Sequence, residues 1–240
     1  MTFASDLPSF NRNCPVATTR AIHQRLQALL SSLLDAGLAL EVNALALTPS
    51  RVTWQHQGQG AFLADRRHAT IEQYLHWLTT RAYSAVLFDG SLIQVTYDVG
   101  ANQVSGHRLA YIPCPYDLDL TLLDDGFSVE DLVRLYEESP DQPVALRSHI
   151  RFDYDPGAAK TGHPAAHFTI NSADCRIACV APIHMNRFID FIFRHFYPDQ
   201  YRAHPGIFEK PEAHISAPRM AEEDRESPHL AWATAPSPSR

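Results

Sequence analysis

L-F-D-G-S-L-I-Q-V-T-Y-D-V (87–99), answered by H-R-L-A-Y-I-P (107–113), decides the fold class. Ile93, Val95 and Tyr97 alternate with Gln94, Thr96 and Asp98, which sends apolar and polar side chains to opposite faces of a strand. The intervening V-G-A-N-Q-V-S-G (99–106) is rich in turn formers. The two runs therefore read as an antiparallel hairpin with one face against helices and the other wetted.

Working outward, three more strands are expected at about 145–154, 166–171 and 175–181, with Pro182 ending the last. Ahead of the hairpin, Val52-Thr53-Trp54 has strand character, while 38–47 fits a strand or a helix continuation. Thr18 or Thr19 can cap a helix whose apolar face is Ile22, Leu26, Leu29, Leu30, Leu33 and Leu34, with Gly37 as its stop. A second helix spans about 70–81, with Ile71, Tyr74, Leu75 and Leu78 on one face. Ser128 caps a short third helix. A fourth, about 184–197, turns Phe188, Ile189, Ile192, Phe193 and Phe196 inward. The expected architecture is α+β: an antiparallel sheet of about five strands with helices 18–36, 70–81 and 184–197 on one face. Residues 1–17 read as an extended arm, 18–212 as a single domain, and 213–240, dense in charge, proline and serine, as a disordered tail.

A chain of 240 residues with an apolar share of 45% can bury an ordinary core. No run is long enough to span a membrane, and M-T-F-A-S-D-L-P lacks a signal peptide's layout, so a cytoplasmic location away from membranes is expected. Cys14, Cys114, Cys175 and Cys179 read as reduced, mostly buried thiols. A net charge of -7 opposes a broad nucleic-acid surface. Residues 147–204 depart from that balance, with seven cationic side chains against five aspartates and six of the thirteen histidines. Nucleic acid would be met only through this local basic region.

The same region concentrates polar chemistry. R-F-D-Y-D (151–155), H-P-A-A-H-F-T-I (163–170) and C-R-I-A (175–178) place Arg151, Asp153, Asp155, His163, His167 and Arg176 between strand-like runs. Gly162 and Pro164 forbid the helix that would align His163 and His167 as a metal pair. A strand-borne set remains open. His163, His167 and Asp153 or Asp155 could hold a divalent metal ion, with Arg151 and Arg176 receiving an anion. Against this stands a plainer reading, in which Arg151 and the aspartates pair on a solvated face and His163 closes a turn. Other chemistries lack support. No Gly-rich phosphate loop or nucleophile elbow occurs, and the hairpin lacks the Glu-x-Lys of restriction-type nucleases. Asp89 before Gly90 reads as a turn former, and Asp98 as a cross-strand partner of His107 or Arg108.

L-F-D-G-S-L-I-Q (87–94), H-R-L-A-Y-I-P-C-P (107–115), R-F-D-Y-D, H-P-A-A-H-F-T-I and C-R-I-A together resemble the uncharacterised prokaryotic family called Domain of Unknown Function 2290, over roughly 70–210. Ala166 and Asn171 stand where the family pattern has serine and glycine. The resemblance implies a bacterial protein of unassigned activity and no mechanism. Two function readings follow. The first is a binding or accessory component of a multi-protein system, with another protein as partner and a defence or mobile-element setting suggested by the resemblance alone. The second is a metal-dependent phosphoesterase or nuclease using Asp153, Asp155, His163 and His167.

Overall fold

Side-chain caps start the helices where the sequence places them. Thr18 accepts a hydrogen bond from the Ala21 amide (3.1 Å) and opens α1, Thr19–Asp35. Thr70 does the same for α2, Ile71–Thr79, and Ser128 forms a capping box with Asp131 at α3, Val129–Glu137. His184 caps α4, Met185–Phe196, by accepting from the Asn186 amide (3.2 Å). Short helices α5, Pro198–Ala203, α6, Pro205–Phe208, and α7, Glu222–Arg225, follow. The computed structural model describes residues 18–55, 70–139, 141–172, 174–208 and 220–231. The arm read at 1–17 lies outside them.

The strands are β1 Ala39–Val42, β2 Leu45–Leu47, β3 Arg51–Trp54, β4 Ala85–Leu87, β5 Leu92–Gly100, β6 Gln103–Ile112, β7 Ile150–Tyr154, β8 Ala166–Ile170, β9 Arg176–Cys179 and β10 His229–Leu230. Among the described residues they form one ten-stranded sheet, where about five strands were expected. The order is β1-β4-β5-β6-β7-β8-β9-β10, with β3 on β5 and β2 on β3. All pairings are antiparallel except β9 with β10. The five expected strands are β5 to β9, its central run. Val52-Thr53-Trp54, read as strand-like, is β3, and the 38–47 stretch, open between strand and helix, holds β1 and β2; the 87–99 run breaks at Gly90, whose φ of 85° makes the β4–β5 turn. Part of the stretch read as a tail is structured, since α7 and β10 lie within it.

Helices cover both faces of the sheet, which corrects the one-faced expectation. Leu26, Leu30 and Leu33 of α1 and Phe188, Ile192 and Phe193 of α4 pack against Ile93, Val95, Leu109, Phe152 and Phe168. Tyr74, Trp77 and Leu78 of α2 and Val133 of α3 pack instead with Val86, Leu92, Ala110 and Ile112, the alternate positions of the same strands. Leu92 and Ile93 are adjacent and both fully buried, so the hairpin's first strand is apolar on both sides at this end. That second apolar patch runs out toward β7, and the face turns polar there. No described helix is long and apolar enough to cross a membrane. Cys114 and Cys179 are buried free thiols and Cys175 is exposed.

Asn171 ends β8 with φ 57°, in the left-handed region that glycine adopts without cost. Asparagine is among the few other residues that tolerate it. Asn171→Val is expected to lower stability by about 1–2 kcal/mol, and Asn171→Gly to leave it unchanged or higher, read from urea midpoints.

Candidate functional site

Strand register gathers the polar residues into two rows across one face. The first row runs Thr96, Arg108, Asp153, His167, Ala178 from β5 to β9. The second runs Gln94, Ala110, Arg151, Thr169, Arg176. These side chains share the face that α2 and α3 cover farther along. Paired residues in antiparallel strands point the same way, so nothing but register is needed to bring them together.

Asp153 is the hub. Arg108 Nε donates to its Oδ1 at 3.0 Å and Arg151 Nε to its Oδ2 at 2.5 Å. His167 Nε2 lies 3.5 Å from Oδ2, while His167 Nδ1 donates to the Pro164 carbonyl at 2.8 Å. Asp153, Arg151 and His167 are each at least nine-tenths buried. Burial alone would push the Asp153 carboxyl up. The His167 hydrogen bond and the Arg151, Arg108 and His167 charges outweigh it and hold the group well below the usual carboxylate range.

His163 closes a tight turn with Lys160, each backbone bonded to the other (3.1 and 2.7 Å), and its ring meets that of His167 at 5.0 Å, edge to face. Burial and the neighbouring His167, Arg176 and Lys160 lower its pKa. Asp155 does not join the hub. It follows the end of β7, is exposed, and its Oδ1 accepts from the Gly157 and Ala158 amides (3.0 and 3.1 Å). Above the two rows lies a cavity of about 1080 Å³, with Arg108, Arg151 and Arg176 in its lining and Lys160 and His163 from the β7–β8 connection along its wall. Among the described residues, no three His, Cys, Asp or Glu side chains converge as a metal's ligand set requires.

Five of the six residues singled out in the sequence, Arg151, Asp153, His163, His167 and Arg176, thus lie together. Arg108, Lys160 and Thr169 join them and were not singled out as site residues. Asp98 meets neither His107 nor Arg108; Arg51 of β3 holds it through two bonds of 2.6 and 3.1 Å. Arg108 is thereby left to reach Asp153. His107 turns to the opposite face, accepts the Ile183 amide at 3.2 Å, and is pushed by burial down to about 4.

The family model described as "Uncharacterized conserved protein (DUF2290)" matches residues 38–232. The chain belongs to this family. No curated protein and no solved structure gives a match. The match is wider than the 70–210 stretch that carries the resemblance and takes in every strand of the sheet. Two of the stretches that carry the resemblance build the hub: R-F-D-Y-D supplies Arg151 and Asp153, and H-P-A-A-H the two histidines. A third, L-F-D-G-S, is architectural. Asp89 accepts from the Ser91 amide (2.9 Å), the Ser91 hydroxyl (3.0 Å) and the Tyr197 hydroxyl (2.8 Å), tying the β4–β5 turn to the end of α4.

Asp153→Asn leaves the buried Arg151 and the half-buried Arg108 without their shared anion and is expected to cost about 3–5 kcal/mol at pH 7, measured by urea unfolding. A depressed folded-state pKa contributes stability above the unfolded value. Wild-type stability therefore falls as pH drops below about 4 toward the folded value, and the Asn variant should lack that part of the acid profile.

Proposed function

We propose that this chain is a binding component whose cleft over the polar half of the sheet takes a small phosphorylated ligand. One observation carries the reading: Lys160, His163, His167 and Arg176 converge on one corner of the cleft. Asp153 meets His167 here but is shared with Arg108 and Arg151, and the other nearby carboxylates are turned away. Asp155 is turned onto backbone amides, and Asp174 stands 3.9 Å from Arg176 with its side chain almost wholly in solvent. An anion entering the corner therefore meets Lys160 and Arg176 with little carboxylate competition, and His163 adds its charge once it is protonated.

Scale argues for a single anionic group. Five Arg and Lys side chains line the cleft against four aspartates, an excess of one, while the whole molecule carries -7 and repels a polyanion. The metal-dependent phosphoesterase draws less from this arrangement, because Asp153 spends its oxygens on Arg108, Arg151 and His167. A role inside a larger assembly, with another protein reading the loaded state, accords with a binding function.

Calorimetric titration with inorganic pyrophosphate at low salt tests the reading. Wild-type protein should bind one equivalent, more weakly as salt rises. Lys160→Ala with His163→Ala should weaken binding by about tenfold, near the loss of one charge-assisted hydrogen bond. Affinity should rise as the pH falls beneath the ordinary histidine range, where His163 takes up its proton. No saturable binding, or binding indifferent to these two side chains, would overturn it.

A further inference from the structure

The other end of the cleft, on β5 and β6, is built by a break in the alternation of the sheet. Asp98 pairs with Gly106 and Val99 with Val104, so Ser105 is an extra residue, a bulge in β6. Val104 packs in the same core as Leu109 and Tyr111, although strict alternation would send it to the other face. The bulge absorbs that change of parity, and Ser105 and Gly106 both line the cleft. Ser105 is exposed. Gly106 leaves its cross-strand partner uncovered, since a Cβ at 106 would stand 3.5 Å from Asp98 Oδ2. The Asp98 side chain keeps 37% of its surface open and that of Arg51, bonded to it, 51%. Both face the cleft.

The two ends differ in charge. Lys160, His163 and Arg176 make one corner suited to an anionic group. At the bulge Arg51 and Asp98 neutralise each other through two bonds of 2.6 and 3.1 Å, and a second anion would meet no net charge there. Each Asp98 oxygen receives one bond from Arg51 and has room for another donor, while the Ser105 hydroxyl both donates and accepts. Donor and acceptor side by side match a neutral hydroxyl, which gives one hydrogen bond and takes another. Distance then sets the length of the ligand. β5, which carries Asp98, lies three strand spacings from β8, which carries His167, or about 14 Å at about 4.8 Å each. One sugar ring with its phosphate falls short of that span, and two rings cover it. The wall between the ends, at Gly157, Ala158 and Ala159, offers no side-chain ring on which a nucleobase could stack.

Resting on the cleft reading, we infer that the ligand is a phosphorylated saccharide of at least two units, with its phosphate in the Lys160–His163–Arg176 corner and hydroxyls of its distal ring on Asp98 and Ser105. The β6 bulge is what turns Ser105 toward that ring.

Calorimetric titration with trehalose 6-phosphate, maltose 1-phosphate, glucose 6-phosphate, methyl phosphate and adenosine monophosphate, alongside pyrophosphate, tests the inference. The better of the two disaccharide phosphates should bind about tenfold more tightly than methyl phosphate or glucose 6-phosphate, as one or two added hydrogen bonds to a charged group imply. Asp98→Asn and Ser105→Ala should each bring the ratio of disaccharide phosphate to methyl phosphate affinity down toward one. Both substitutions are at accessible positions, and thermal melts identify a variant that fails to fold. Lys160→Ala with His163→Ala should instead weaken all the phosphates alike and leave the ratio as it was. If pyrophosphate binds but neither disaccharide phosphate exceeds methyl phosphate, or the ratio survives both Asp98→Asn and Ser105→Ala, the saccharide inference falls while the cleft reading stands. A preference for adenosine monophosphate over both disaccharide phosphates also overturns it. If wild-type protein binds none of the probes, the cleft reading itself falls and the saccharide inference with it.

Discussion

A buried carboxylate organises the centre of this molecule. Asp153 draws one partner from each of three consecutive strands, Arg108 from β6, Arg151 from its own β7 and His167 from β8. An isolated buried charge costs several kcal/mol, so these three contacts are conditions for the strands to sit as they do. They also discriminate between registers. A slip of one residue would turn Asp153 into the opposite layer, where Phe152 meets Phe168 at 4.7 Å and Phe188 at 6.0 Å. The ion cluster on one side and the aromatic stack on the other reject the same errors. The polar half of the sheet and its apolar half are in this sense one device.

The cluster also explains how an acidic protein can present a cationic corner. Charge in the chain as a whole is diluted over the surface. At the β8–β9 end, short strands and a tight Lys160–His163 turn hold several cations at fixed separation, while the aspartates nearby in sequence face away into turns or solvent. Local field follows from this placement rather than from the overall count.

Much of this was legible in the chain. Helices announced themselves because Thr18, Thr70 and Ser128 cap clean apolar periodicities, β5 to β8 because their apolar runs are long, and β9 because Pro182 closes its short apolar run. β3 was also read from Val52-Thr53-Trp54, whereas β1, β2, β4 and β10, of two to four residues, offer too little alternation to stand out. The second helical layer was hidden because Leu92 and Ile93 both read as apolar without saying that they face opposite ways. Within the site, Arg151 and Asp153 were visible as an i, i+2 pair on one strand. Arg108 and Thr169 were not, because their membership depends on cross-strand register, and register is settled by the packed whole. Asp155 misled for a related reason: alternation carries no notice of where a strand stops, and β7 stops one residue before it.

The far border of the sheet has a practical consequence. β9 is shielded by β10 through only two residue pairs and one further bond, from the Val180 amide to the Leu230 carbonyl. An expression boundary drawn after Phe208, where the last long run of helix ends, would remove that shield. It would leave the β9 amides and carbonyls as a bare template for another chain, and such a fragment would be prone to sticky, edge-to-edge self-association in concentrated solution. The β10 segment, which among the described residues brings Leu230 to the edge of the core, is best regarded as the sheet's selvage.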